Sequence, residues 1–160
     1  MPRPDYKLSE ILDLKELANL FKHFTITVGL DVALYDAQGV LMLPFYKDAN
    51  AGVCGLAKNC PTCREYIKYG GQKARELGEP YIFRCGCGLI MCSLPVVLGD
   101  ILIGSIACGP VMLWEADEYA QKELDRNLKA MGIGCEVDPG SIQQLSCVNM
   151  TSAAQILYIL

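Results

Sequence analysis

The sequence predicts an α+β domain of 160 residues: a helix, two strands, a long helix, three strands and then further helical segments. Two observations carry this. Apolar spacing switches between the helical period and the strand period along the chain, and the strand segments are joined mostly by hairpin-length turns, which gives a five-stranded antiparallel sheet with helices packed against it. The length suits one domain that buries about two-thirds of its unfolded surface. No repeat or low-complexity segment divides it.

Each element has a local cause. Asp13 followed by Glu16 is an N-cap with an acid three residues on. Leu14, Leu17, Ala18, Phe21 and Phe24 then fall on one helical face, and Gly29 ends the run. Segments 31–35 and 40–43 flank Asp36-Ala37-Gln38-Gly39, a hairpin with glycine at the exit of its turn. Residues 44–60 read as a loop. Pro61 suits a first helical turn, where its missing amide is no loss, and that helix should run to about Leu77 and stop at Gly78. Gly70-Gly71 weakens its middle by about 1 kcal/mol per glycine relative to alanine. Segments 80–85, 88–97 and 101–113 read as strands, with Leu98-Gly99-Asp100 as a tight turn. Residues 117–131 are helical, with Leu124, Leu128 and Met131 on one face and Gly132 as the stop. Segments 141–147 and 151–160 also carry helical patterns. The last is apolar to the final residue, as expected of a piece of a longer protein whose next module continues this helix.

Composition narrows the function. Apolar residues make up 52% and charged residues 20% of the chain, yet nothing approaches the roughly 18 uninterrupted apolar residues of a membrane helix. The amino terminus lacks an apolar signal core with a small-residue cleavage site. We expect a cytoplasmic protein with no membrane partner. Net charge is −4 and no basic stripe with interleaved aromatics occurs, which argues against direct nucleic-acid binding. The lone His23 rules out a conventional serine or cysteine triad. Gly86-x-Gly88 lacks the rest of a phosphate loop, and Glu115, Asp117 and Glu118 read as helix caps rather than a catalytic pair. No catalytic residues are expected.

Six of the nine cysteines, Cys54, Cys60, Cys63, Cys85, Cys87 and Cys92, lie in one window. An odd total in a cytosolic chain argues against a disulfide framework. Cys60-Pro61-Thr62-Cys63 sits at a loop-to-helix junction, where both sulfurs converge and the helix start lowers thiol pKa. Cys54 on the loop and Cys85 or Cys87 on the next strand would complete a sulfur set for structural zinc or, as an alternative, an iron–sulfur cluster. Buried or reactive thiols explain the same residues equally well. A thiol oxidoreductase using Cys60 and Cys63 is a third reading. Cys92, Cys108, Cys135 and Cys147 lie within apolar patterns and read as core.

The chain also resembles a known family. The run LSEILDLKELANLF from Leu8 to Phe21, followed by TVGLDVALYDAQG from Thr27 to Gly39, is similar to the opening helix and hairpin of the PocR sensory domain, a PAS-like ligand-binding module of prokaryotic signalling proteins. Cys54, Cys63-Arg64 and the run from Tyr81 to Cys85 are similar to its three cysteine positions. Gly88-Leu89, Leu94-Pro95-Val96 and the run from Gly99 to Gly104 are similar to its later strands. In two places the chain departs from the pattern. The family's Cys-His-Ala-Gly-Leu stands here as Cys85-Gly86-Cys87-Gly88-Leu89, so Cys87 or Cys60 would replace the histidine, and its Gly-Gln stands as Gly109-Pro110.

The resemblance implies a PAS-like sheet and a sensor of small hydrocarbon derivatives, such as a short diol or alcohol, within a transcription regulator or sensor kinase. The partners it implies are a small-molecule ligand and a downstream output domain, with a homodimer through flanking helices. The expected pocket lies between the sheet and the helix leading from Cys63, with Tyr66, Tyr81, Phe83 and Ser105 as its polar and aromatic groups, and the helix from about Thr151 carries the signal. Cys54, Cys63 and Cys85 would form a metal clasp, with Cys60 and Cys87 competing for its fourth place. The alternative is that this cluster is itself the switch, as a redox or metal sensor.

Overall fold

The structure, a computed structural model, describes residues 7–46, 60–112 and 117–133, together with the backbone of the two-residue strand Ser146–Cys147. Elements run in the order α1 (Leu8–Ile11), α2 (Leu14–Val28), β1 (Val32–Asp36), β2 (Leu41–Leu43), α3 (Pro61–Leu77), β3 (Tyr81–Arg84), β4 (Ile90–Leu98), β5 (Ile101–Met112), α4 (Glu118–Ala130) and β6 (Ser146–Cys147). The five main strands are antiparallel in the order β2-β1-β5-β4-β3. This is the α+β, PAS-like arrangement expected.

Local chemistry sets the boundaries. The Asp13 carboxylate accepts from the amides of Lys15 (2.9 Å) and Glu16 (3.1 Å) and caps α2. Gly29 closes it in the left-handed region at φ 83°. The buried face of α2 is Phe21 and Thr25, with Leu14, Leu17, Phe24 and Val28 packed beside them. Ala18 is exposed rather than on that face. Asp31 ties three segments together: its Oδ1 accepts from the Thr25 hydroxyl (3.2 Å), the Val32 amide (3.2 Å) and the Tyr46 amide (2.7 Å). α3 runs from Pro61 to Leu77 with Gly78 as its left-handed cap, as the sequence implies.

The glycine pair inside α3 has a packing reason. A Cβ at Gly70 would meet Phe83 Cε1 at 2.6 Å, and one at Gly71 would meet Ser105 Cβ at 3.0 Å. The helix gives up intrinsic stability so that its backbone can lie directly on β3 and β5. Ala33, Phe45, Ile67, Phe83, Met91 and Ala107 form the core beneath it. On the other sheet face Leu8, Phe21, Leu30, Val32, Leu34, Ile103, Cys108 and Val111 pack together under α1 and α2. A third cluster joins Cys60, Cys87, Leu89 and Met112 to Ala120, Leu124 and Leu128 of α4.

One finding departs from the sequence reading at the carboxy end. Ser146–Cys147, expected within a helix, is a short strand parallel to Val111 and Met112. Pairing of β1 with β5 ends at Val32 opposite Cys108. The end of β5 therefore presents ladder groups with no β1 partner, and an extended segment satisfies them better than a helix can. The proposed helix 151–160 lies outside the described residues. So do residues 141–145, Cys54 and Cys135.

Candidate functional site

A cavity of about 480 Å³ opens at the start of α3. The β1–β2 hairpin forms one wall with Tyr35, Gly39, Val40 and Leu41. The first turns of α3 supply Cys60, Pro61, Cys63, Arg64, Tyr66 and Ile67, and the far wall is Cys85, Cys87, Leu89 and Met91. Apolar walls with a few convergent polar groups, at this volume, are the usual makeup of a small-molecule site.

Each wall is held from behind. In the hairpin, Asp36 Oδ1 accepts from the amides of Gln38 and Val40, both at 2.8 Å. Gly39, at φ 76°, lets the turn close against α3: a Cβ there would lie 2.6 Å from the Arg64 carbonyl oxygen. Arg64 Nε donates to the Gln38 carbonyl at 2.9 Å, which joins the two walls at the mouth.

The turn between β3 and β4 carries the opposite wall. The Cys85 amide donates to the Leu89 carbonyl and the Gly88 amide to the Cys85 carbonyl, both at 2.8 Å. Arg84 Nε donates to the Gly88 carbonyl at 3.0 Å, and its Nη2 pairs with Glu123 of α4 at 3.1 Å. Asn127 Nδ2 donates to the Cys87 carbonyl at 3.1 Å. The Met131 sulfur, just past α4, receives the Cys87 thiol at 3.8 Å, and the Met131 carbonyl receives the Cys60 thiol at the same distance. This turn therefore has two sides, one facing the cavity and one clamped by α4.

Cys60, Cys63, Cys85 and Cys87 all reach the cavity wall. Their thiols interact unequally. The hydrogen bond from Cys87 holds the Cys63 thiol below its usual range. The same donor brings Cys85 down to about 7. Cys87 is pushed up by its interactions with the neighbouring Cys63 and Cys85 thiols and by burial. Cys92 lies on the opposite sheet face, directly across from Cys108 in register. Burial pushes Cys92 up to about 11 and Cys108 up to about 12.

The structure sorts the residues expected to form the site. Tyr66 lies on the cavity. Tyr81, Phe83 and Ser105 do not: Tyr81 and Phe83 stack on each other at 6.1 Å, and Phe83 and Ser105 are buried beneath Gly70 and Gly71. They fill the contact between α3 and the sheet. The cavity is lined instead by Tyr35, Leu41, Arg64, Ile67, Leu89 and Met91, brought together by chain crossings that no local pattern announces. Arg64 had a local signal, since it follows Cys63 directly. Among the described residues, no group of three or more His, Cys, Asp or Glu side chains is disposed to hold a metal ion, and the fifth expected thiol, Cys54, lies outside them.

Fold and cavity together define an α+β, PAS-like domain with a pocket of small-molecule size, and comparison with known proteins places it more closely. The profile described as "Sensory domain found in PocR" matches residues 10–160, and the chain belongs to that family. It is also similar to the "Regulatory protein PocR" of Salmonella typhimurium (strain LT2), with 39% identity over 103 residues, covering 61% of this chain and 33% of that protein. The match thus spans about a third of the relative's length. No solved structure matches. Among the described residues, no helix is long and apolar enough to cross a membrane.

Proposed function

We propose that this domain senses a small hydrocarbon derivative, a short diol or alcohol, and that it does so within a larger transcription regulator or sensor kinase without catalysis of its own. The cavity at the start of α3 carries the reading. Its apolar surfaces (Leu41, Ile67, Leu89, Met91) suit a short carbon chain, and the Tyr35 and Tyr66 hydroxyls with the thiols offer hydrogen bonds to hydroxyl groups. Membership of the family and similarity to a regulatory protein support the sensing role.

Signal output runs through the turn between β3 and β4. A ligand pressing on Cys85, Cys87 or Leu89 acts on a segment whose back is bonded to Asn127 and Glu123 of α4. A ligand shifts an equilibrium only by its differential affinity for the two states, so it moves α4 only where the cavity's shape depends on how α4 docks.

Propane-1,2-diol and short alcohols, titrated by calorimetry and thermal shift, test this reading. A ligand at 100 times its Kd stabilises the fold by about 2.7 kcal/mol. No response to any short diol or alcohol would sink the proposal. The clustering of Cys60, Cys63, Cys85 and Cys87 along the cavity motivates a second component, zinc or an iron–sulfur cluster held by some of them with Cys54 as a clasp, although the described side chains are not gathered around one ion. Elemental and sulfide analysis of anaerobically purified protein decides it. One zinc per chain makes the clasp structural, iron with sulfide makes it a cluster, and metal-free protein removes it.

A further inference from the structure

The cavity is uneven in charge. Among the described residues that line it, Arg64 alone carries a fixed charge, and none is an Asp or a Glu. The chain as a whole is negative, at −4, so a positive group set on an apolar cavity runs against the average of the molecule.

Arg64 is also held in place and left without a counter-charge. Its Nε donates to the Gln38 carbonyl at 2.9 Å, and this fixes the guanidinium between α3 and the β1–β2 hairpin. That bond uses one of its five N–H groups. Lys68, one turn further along α3, packs against the same hairpin, where a Cβ added at Gly39 would lie 3.4 Å from the Lys68 Cβ. Neither cation pairs with a carboxylate among the described residues. Asp36, the acid of the hairpin, does not line the cavity, and its Oδ1 is engaged by the amides of Gln38 and Val40. The start of α3 favours the same sign of ligand charge, since its first turn holds no acid and Cys60 supplies no side-chain cap.

We infer that the best ligand of this cavity is a short 2-hydroxy acid rather than a neutral diol, with Arg64 receiving its carboxylate at the mouth. This assignment deepens the sensing reading above and rests on it. Leu41, Ile67, Leu89 and Met91 hold the carbon chain, and the Tyr66 side chain stands on the same cavity to meet the hydroxyl. A planar guanidinium matches a carboxylate through two parallel hydrogen bonds, which a hydroxymethyl group cannot reproduce. A single lining cation suits a monoanion better than a phosphate, which carries close to two charges at neutral pH.

Lactate and propane-1,2-diol share a three-carbon skeleton and the 2-hydroxyl group, and differ in a carboxylate against a hydroxymethyl group. The test titrates both into the reduced full chain by calorimetry at about pH 6. There a carboxylate of ordinary pKa (about 4) is ionised, and the Cys85 thiol on the far wall, at about 7, keeps its proton. Lactate should bind at least about tenfold tighter than the diol, and added salt should weaken lactate alone. Arg64→Gln should bring lactate to within about threefold of the diol, while diol affinity stays within about twofold of wild type. Arg64→Lys should fall between the two for lactate.

A diol that binds as tightly as lactate or tighter overturns the inference and leaves the sensing reading standing. Equal losses of both ligands in Arg64→Gln show that Arg64 only braces the wall, and overturn its role. Lactate binding with no diol binding upholds the inference and removes the neutral diol as ligand. Silence toward both overturns both. The wild-type comparison decides the ligand class even where Arg64→Gln fails to fold.

Discussion

Cysteines that look alike in the chain behave differently because of where their sulfurs point. Cys92 and Cys108 face each other on the sheet side packed against α2, with apolar neighbours that penalise a thiolate. Their folded pKa values lie above the ordinary thiol value of about 9. The folded state therefore holds protons that the unfolded chain releases. Their contribution to stability is fully present below about pH 9 and is lost as pH rises through about 11 for Cys92 and about 12 for Cys108. Urea unfolding across that range should show stability declining, and Cys108→Ala should decline less steeply than wild type because one of the two groups is gone. Equal slopes in the two proteins would show that Cys108 ionises as freely folded as unfolded. Cys60, Cys63, Cys85 and Cys87 line the cavity instead, where the neighbouring Cys87 draws Cys63 and Cys85 below the usual thiol range. Sequence spacing divided the core thiols from the window, and the fold brings Cys60 and Cys87 to the cavity from separate elements.

At the scale of elements, α3 shows how local and tertiary terms oppose each other. Its start at Pro61, its stop at Gly78 and its length follow from propensity and capping alone. The pair Gly70-Gly71 reads locally as a defect. In the fold it is the contact surface, because a side chain at Gly70 would run into Phe83. Gly70→Ala should raise intrinsic helix propensity by about 1 kcal/mol and still destabilise the protein by about 1–3 kcal/mol through overpacking. Chemical denaturation measures the balance; a stabilised variant would mean that the helix sits farther from β3 than described. The same close approach explains why Phe83 and Ser105 pack beneath the helix rather than line a pocket. A polar or aromatic residue on a strand facing a helix is equally compatible with a pocket or a packed layer, and only the helix-to-sheet distance separates the two.

For the whole molecule, the question is how an event in the cavity reaches another module. In the proposed reading the turn between β3 and β4 is the connection, with cavity thiols on one side and Asn127, Glu123 and Met131 on the other. Asn127→Ala removes one bond to the Cys87 carbonyl and should cost about 1 kcal/mol of stability. Propane-1,2-diol should bind this variant within about twofold of wild type, since Asn127 does not line the cavity. Ligand-induced protection of the α4 amides, measured by hydrogen exchange, should be lost. If α4 responds to the diol equally in both proteins, the signal travels by another route.

Element types and most boundaries could be read from the chain because they depend on neighbours three or four residues apart: Asp13 on the amides of Lys15 and Glu16, Gly29 and Gly78 on their own backbone angles, the hairpin on Asp36 and Gly39. The family too was legible, since order and spacing of motifs survive without coordinates. Tertiary structure alone decided which residues surround the cavity, which thiols meet, and that Ser146–Cys147 extends along the end of β5. Those outcomes depend on residues far apart in sequence, such as Gly39 with Arg64 or Cys87 with Met131. Hydrophobic patterning determines that an element will be buried, but the volumes and register of its neighbours determine what it is buried against.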